Sequence, residues 1–311
     1  MIARRRQRGA TLAELMVACA VGMLAMLLAG GLLVSANAAY LVQVDAAGLD
    51  DNGRYALEVV TRAARQAAFV NWERDQAGAD QATAPPYIRG IDARSLSRAA
   101  EGIDSPLADA VNGSDVLAVR FSGAADGSVV SCAGFAVGED DDGWSIFYVG
   151  RNAGGEAELR CKYRGKTRWG ADAIIGGVDT FQVLYGVDTD SPPDGVANEF
   201  ASASVVDERD AALVLAAADP AARERELRRR THWKRVTAVR VALVLHGARA
   251  RPGGEPIVFD LFGRAYSDGF GVADRGVQLA EDRLPDELRD RERRLFAAAV
   301  LLRNAPAEVA R

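Results

Sequence analysis

Histidine and cysteine are scarce in this chain. The two histidines and three cysteines among 311 residues make no CxxC pair and no His/Cys cluster, so no zinc site is expected. The signature loops of catalysis are missing as well. There is no G-x-S-x-G, no P-loop and no G-x-G-x-x-G. The glycines of "DGFGVADRG" lack a strand-to-helix context, and neither His232 nor His246 has a nucleophile motif near it. Both histidines are therefore expected to be structural, and neither enzyme activity nor a cofactor is expected. An excess of positive charge is also missing. A net charge of -5 and a pI near 5.3 speak against a general nucleic-acid binder. Long apolar runs are missing everywhere after residue 34.

One such run is present, and it stands at the start. Between Ala10 and Val34 the only ionisable groups are Glu14 and the thiol of Cys19. As a helix this stretch is long enough to cross a hydrocarbon core of about 30 Å. Arg4, Arg5, Arg6 and Arg8 precede it, and the positive-inside rule keeps them cytoplasmic. A secretory signal cut at Ala36-Asn37-Ala38, a lipoprotein signal ending at Cys19 and a twin-arginine signal are the competing readings. Glu14 separates them from a retained helix. A carboxylate within an apolar helix costs roughly 2.5–3.5 kcal/mol on insertion scales. A discarded signal gains nothing from it, whereas a helix that pairs inside the bilayer can use it. A cut between Gly9 and Ala10 would place an α-ammonium four residues away, on the same chain or on a neighbouring copy.

Beyond residue 35 the pattern becomes amphipathic, with Leu41, Val44, Tyr55, Val59, Ala63 and Ala67 at helical spacings to about residue 72. Gly48 and Gly53 are points where a bend is plausible. Residues 73–110 read as a loop region, with Pro85-Pro86 as a breaker. Strands are expected at "SDVLAVRFSG", "GSVVSCAGFAV", "GWSIFYVG", "AELRCKYRG", "VDTFQVLYGVDTD" and "VTAVRVALVLHG". In the last of these, Val239, Val241, Leu243 and Leu245 take one face; Arg240, Ala242, Val244 and His246 take the other. "RRLFAAAVLLRN" reads as a strand buried on both faces. A helical insertion near 205–230 breaks at Pro220, and its "ARERELRRR" piece reads as a solvated surface.

"RGATLAELMVA" resembles the class III signal of type IV prepilins, with Gly9 before the cut and Thr11, Leu12, Glu14 and Leu15 on its T-L-x-E-L pattern. Ala10 stands where phenylalanine is usual, and Ala13 where isoleucine is usual. "NGRYALEVVTRAARQAAF", "FQVLYGVDTD", "VTAVRVALVL" and "RRLFAAAVLLRN" resemble, in order, four blocks of PilW-type minor pilins. "DTDSPPDG" and the insertion depart from that pattern. The resemblance implies an α+β, type IV pilin-like fold: a long N-terminal helix, membrane-spanning and then amphipathic, packed on an antiparallel β-sheet head. Its parts would be a leader (1–9), a transmembrane and filament-core helix (10–34), an amphipathic continuation (35–72) and a periplasmic head (73–311). The implied role is non-catalytic, in a priming or tip complex of type IV pilus assembly. The implied partners are other minor pilins, the major pilin, prepilin peptidase, the inner-membrane assembly platform and membrane lipid, with no nucleic acid. Ala10 would be N-methylated, and Glu14 would set the register between subunits. A type II secretion minor pseudopilin shares the same N-terminal physics, and a membrane-anchored periplasmic enzyme or binding module is the rival from another class.

Cys132 and Cys161 lie on neighbouring expected strands, and a disulfide between them is permitted if that side is periplasmic. Cys19 reads as a packing residue. Asp188, Asp190 and Asp194 of "DTDSPPDG" are the only weak candidates for a metal. They miss the EF-hand pattern and are interrupted by prolines, so a turn is expected there.

Overall fold

The computed structural model describes residues 9–69, 83–251, 253 and 255–303. The arginines of the leader, residues 70–72 of the expected helix, residues 73–82 of the expected 73–110 loop and Asn304 lie outside the described residues. The chain forms two units, one ending at Gly48 and the other beginning at Leu49.

Helix α1 runs Leu12–Arg65, so it ends short of residue 72. Within the first unit its apolar side chains are largely exposed. The large ones from Leu12 to Val34 are between 58% and 78% exposed. A helix apolar all round and unburied is suited to lipid or to other helices rather than to water. It is long and apolar enough to cross a membrane.

Within the second unit, the helix from Leu49 onward buries a narrow stripe of small residues, Gly53, Ala56, Val60, Ala63 and Ala64. Small side chains let the helix axis come close to the sheet behind it. Gly53 is the tightest point. A Cβ there would lie 2.4 Å from the ring of Phe296, so this glycine provides a close approach and not the bend its low helix propensity suggests.

The head is built on two antiparallel sheets. The first holds β1 (Ile88–Ile91), β4 (Val116–Ser122), β5 (Asp142–Arg151), β6 (Ala157–Arg164) and β7 (Trp169–Gly176), in that order. A short pair, β2 (Ser95–Leu96) and β3 (Pro106–Leu107), lies beside it in sequence. The chain leaves β7 through Gly177 (φ +69°), where a Cβ would come within 2.8 Å of the His246 carbonyl, and enters the second sheet. That sheet has the order β13 (Arg291–Leu301), β10 (Val236–Ala250), β8 (Val178–Val187), β9 (Glu199–Ala201). After β9 come α2 (Ala203–Ala211) and α3 (Pro220–Arg230); after β10 come β11 (Val258–Asp260), α4 (Arg264–Phe270), β12 (Gln278–Ala280) and α5 (Asp286–Arg289).

Every residue of β8 is buried, because both faces of its sheet are covered. On β10, Val239, Val241, Leu243 and Leu245 join the main core with the helix stripe. Ala242 and Val244 on the opposite face pack under Leu261, Leu279 and Leu284. The two expected faces are therefore both apolar contacts, and only Arg240 stays exposed, stacked on the ring of Phe200 at 3.9 Å.

Several expectations are corrected. "GSVVSCAGFAV" is not a strand but a loop closed by a single bridge, Val130 to Ala136, because it turns at Gly134 (φ +78°). Strand β7 was not expected at all, and β1 lies in a stretch read as loop. β13 is not buried on both faces. It is an edge strand whose burial alternates, with Leu301 largely open and Val300 closed. The insertion is helical in two pieces as expected, α2 and α3, but Pro220 opens the second piece and the break lies before it, at residues 212–219. Pro220 begins α3 at the first helical position, after Asp219, whose carboxylate accepts the Ala222 N–H at 2.9 Å.

Candidate functional site

Thr11 and Glu14 form a reciprocal pair at the start of α1. The Glu14 Oε2 accepts the Thr11 backbone N–H at 2.8 Å and its hydroxyl at 3.1 Å, while the Thr11 Oγ1 accepts the Glu14 N–H at 3.3 Å. Thr11 is the N-cap and Glu14 the third helical residue, which is the capping-box arrangement. The carboxylate thus closes the first turn of its own helix and complements the positive end of the helix dipole. Reading Glu14 as an acid in want of a partner missed this, although Thr-x-x-Glu before an apolar run carries the signal in the sequence. Gly9 and Ala10 lie immediately before the cap, and both are exposed. Cys19 is an exposed free thiol on the same helix.

The block around Gly53 serves attachment of the helix to β13. Beyond the Gly53–Phe296 contact, the Arg294 guanidinium donates to the Asp50 carboxylate. That ion pair raises the guanidinium's affinity for its proton, the hydrogen bond to Asp50 being the main cause. The outer face of the helix is polar, with Glu58 and Arg62 3.7 Å apart.

Cys132 and Cys161 are joined by a disulfide with their Cα atoms 5.9 Å apart. The bond ties the loop between β4 and β5 to β6, and Cys132 N–H also donates to Ser145 Oγ at 2.9 Å.

The acidic loop after β8 is a self-contained turn. Oxygens of Asp188, Asp190 and Asp194 come within 4.8 Å of one another, but each is already engaged. Asp188 accepts N–H bonds from Asp190 (3.0 Å) and Gly195 (2.7 Å), Asp194 accepts from Val196, and Asp190 accepts from the Asn198 amide. Burial opposes ionisation of Asp188, yet the Gly195 and Asp190 N–H groups and Arg235, 4.0 Å away, outweigh it and hold its carboxyl below the usual range.

The histidines are structural in setting. His232 Nδ1 lies 2.8 Å from Asp210, at the junction of α2 and α3. His246 Nδ1 lies 3.0 Å from Asp179, whose other oxygen accepts from Arg293 at 2.8 Å. Arg293 also reaches Glu281, 3.3 Å away, and its side chain is fully enclosed. This is a buried ion network that fixes the β11–β12 region over the second sheet; breaking such a network is costly because it strands the remaining charge.

Comparison with known proteins bears on both units. A family model described as Type IV pilus-assembly protein W matches residues 146–304, from within β5 past the end of β13. A second model, the prokaryotic N-terminal methylation motif, matches residues 4–30. Among solved structures, a type IV-like pilin from Thermus thermophilus is 13% identical, aligning over 83% of this chain and 96% of its own with a TM-score of 0.40. No curated protein matches.

Proposed function

Because the chain belongs to the Type IV pilus-assembly protein W family and is a minor pilin of type IV pilus assembly, we propose how its two units divide that work. Prepilin peptidase cuts between Gly9 and Ala10, and the new N-terminus is methylated. The apolar helix then anchors the chain in the inner membrane, with the leader cytoplasmic and the head periplasmic. In the assembled fibre the same helix packs among others of its kind. There Glu14 meets the cationic N-terminus of a neighbour and sets the axial register, because purely apolar helix faces slide past each other. The head supplies lateral contacts in a priming or tip complex with other minor pilins. It performs no chemistry.

The observation that carries this reading is the unburied apolar helix containing one carboxylate, placed directly behind Gly9 and Ala10 within the matched methylation motif. Intact-mass measurement of the protein from membranes tests it. Wild type is expected to lack residues 1–9 and to carry an added methyl group. Gly9→Ala is expected to keep its leader, and normal trimming in that variant contradicts the cleavage. Glu14→Ala is expected to be trimmed yet to lower surface piliation severalfold; undiminished piliation contradicts the register role.

A further inference from the structure

We propose that Asp92, Asp115 and Asp274 together hold a hard divalent cation, calcium in preference to magnesium, where the two sheets meet the β11–β12 region of the head. Three segments far apart in the sequence bring one carboxylate oxygen each to within 4.8 Å of the others. Asp92 follows β1, and its two oxygens accept the Ala203 and Ser204 N–H groups at 2.9 and 2.7 Å. Asp115 precedes β4 and accepts from Ala93 N–H on one oxygen (3.0 Å) and from Val183 N–H on the other (2.9 Å). Asp274 lies between α4 and β12, and its Oδ2 accepts the Tyr266 hydroxyl at 2.9 Å.

The second, independent feature is the other oxygen of Asp274. The residue is 4% exposed, and its Oδ1 is enclosed and met by no protein donor. A buried carboxylate oxygen left in that state is costly, and it needs a positive centre to offset the loss of water. Among the described residues no lysine or arginine is ion-paired with Asp92, Asp115 or Asp274. The partners present are neutral N–H and O–H groups. The cluster is therefore a concentration of negative charge that the fold assembles but does not balance.

The chemistry of the donors selects the ion. All are oxygens, which suits calcium or magnesium rather than a soft transition metal. Calcium is preferred to magnesium because carboxylates fixed by the fold on three separate segments suit an ion that accepts irregular, all-protein oxygen sets, whereas magnesium dehydrates reluctantly and keeps several waters. The acidic loop at Asp188, Asp190 and Asp194 differs in two respects: none of its carboxylate oxygens is both enclosed and unmet by a donor, and Arg235 lies 4.0 Å from Asp188. It serves as the internal control.

The test uses the full chain in detergent micelles, stripped with EDTA and titrated with CaCl2 by calorimetry and thermal unfolding, with MgCl2 for comparison. One calcium per chain is expected, with a calcium-dependent rise in Tm and a weaker response to magnesium. Asp274→Asn keeps the shape of the side chain and is expected to weaken calcium binding at least tenfold. In EDTA it should unfold at a higher temperature than wild type, because it removes an unbalanced charge. Asp115→Asn is expected to weaken binding likewise, while Asp190→Asn leaves it unchanged. The proposal is overturned if wild type shows no calcium response, so that water or a shared proton fills the gap. It is also overturned if Asp274→Asn binds as wild type does, or if Asp190→Asn abolishes binding.

Discussion

Gly53 shows how a single missing Cβ can govern the placement of a helix. Alanine is better than glycine in a helix interior by about 1 kcal/mol, so Gly53→Ala on an isolated helix would be a gain. Here the added methyl group would sit 2.4–2.5 Å from three ring atoms of Phe296, and overpacking of this kind costs about 1–3 kcal/mol. The expected outcome of Gly53→Ala is a net loss of stability and a lower Tm of the head in thermal unfolding. Gly53→Ala combined with Phe296→Leu should recover most of the loss, because the smaller side chain clears the space. If the single variant is as stable as wild type, the close approach is not what fixes the helix. The sequence marks this glycine only as a weak point in a helix; the reason it must be glycine lies on a strand near the other end of the chain. The same holds for Asp92, Asp115 and Asp274, which no local pattern joins.

At the scale of elements, the disulfide adds a covalent tie to a loop that hydrogen bonds order only in part. The loop between β4 and β5 has one isolated bridge, and the Cys132–Cys161 bond closes a segment with a separation of 29 residues. In the entropic model a loop of this length contributes roughly 3–4 kcal/mol. Cys132→Ser with Cys161→Ser is therefore expected to lower the Tm of the head and to expose residues 123–141 to limited proteolysis. An unchanged cleavage pattern would show that the loop is held by its packing alone. The central strands were legible in the sequence because their composition matches their setting. β8 and β10 are rich in β-branched and aromatic residues and are covered on both faces. β7 was not legible, since "WGADAIIG" mixes glycine, aspartate and alanine and takes its strand form from pairing with β6. "GSVVSCAGFAV" misled in the opposite direction. Its valines and phenylalanine suit a strand, but the Gly134 N–H turns back to the Ser131 carbonyl at 2.8 Å. β13 misled through its apolar letters, which could not reveal that its strand lies at a sheet edge.

For the whole molecule, the contrast between the two units is the main result. One buries its apolar residues and the other exposes them. A chain whose helix is held only by charge should leave membranes in high salt, whereas one anchored by some 25 apolar residues should not. The expected outcome is retention in the membrane fraction after a wash in 1 M salt or alkaline carbonate, and release by detergent. Release by salt would contradict the anchoring role. The alternation between helix and β-rich head was readable from the sequence because a long apolar run and a strand meander leave different periodicities. The close helix–sheet fit and the acidic cluster were not, because each depends on pairs of residues brought together only by the fold.

The capping pair of Thr11 and Glu14 makes the solitary subunit self-sufficient. Its acid is never idle: before any neighbour arrives, it is held by its own helix. In the proposed fibre, a neighbour's ammonium would have to compete for Glu14 with a bond already made, and docking would become an exchange of one partner for another. Such an exchange yields little net driving force at the contact itself. It leaves adhesion to the apolar surfaces and keeps alignment for the acid, and a subunit that withdraws can fall back on Thr11. A joint of that kind would be reversible, since leaving it restores a bond the helix already makes for itself.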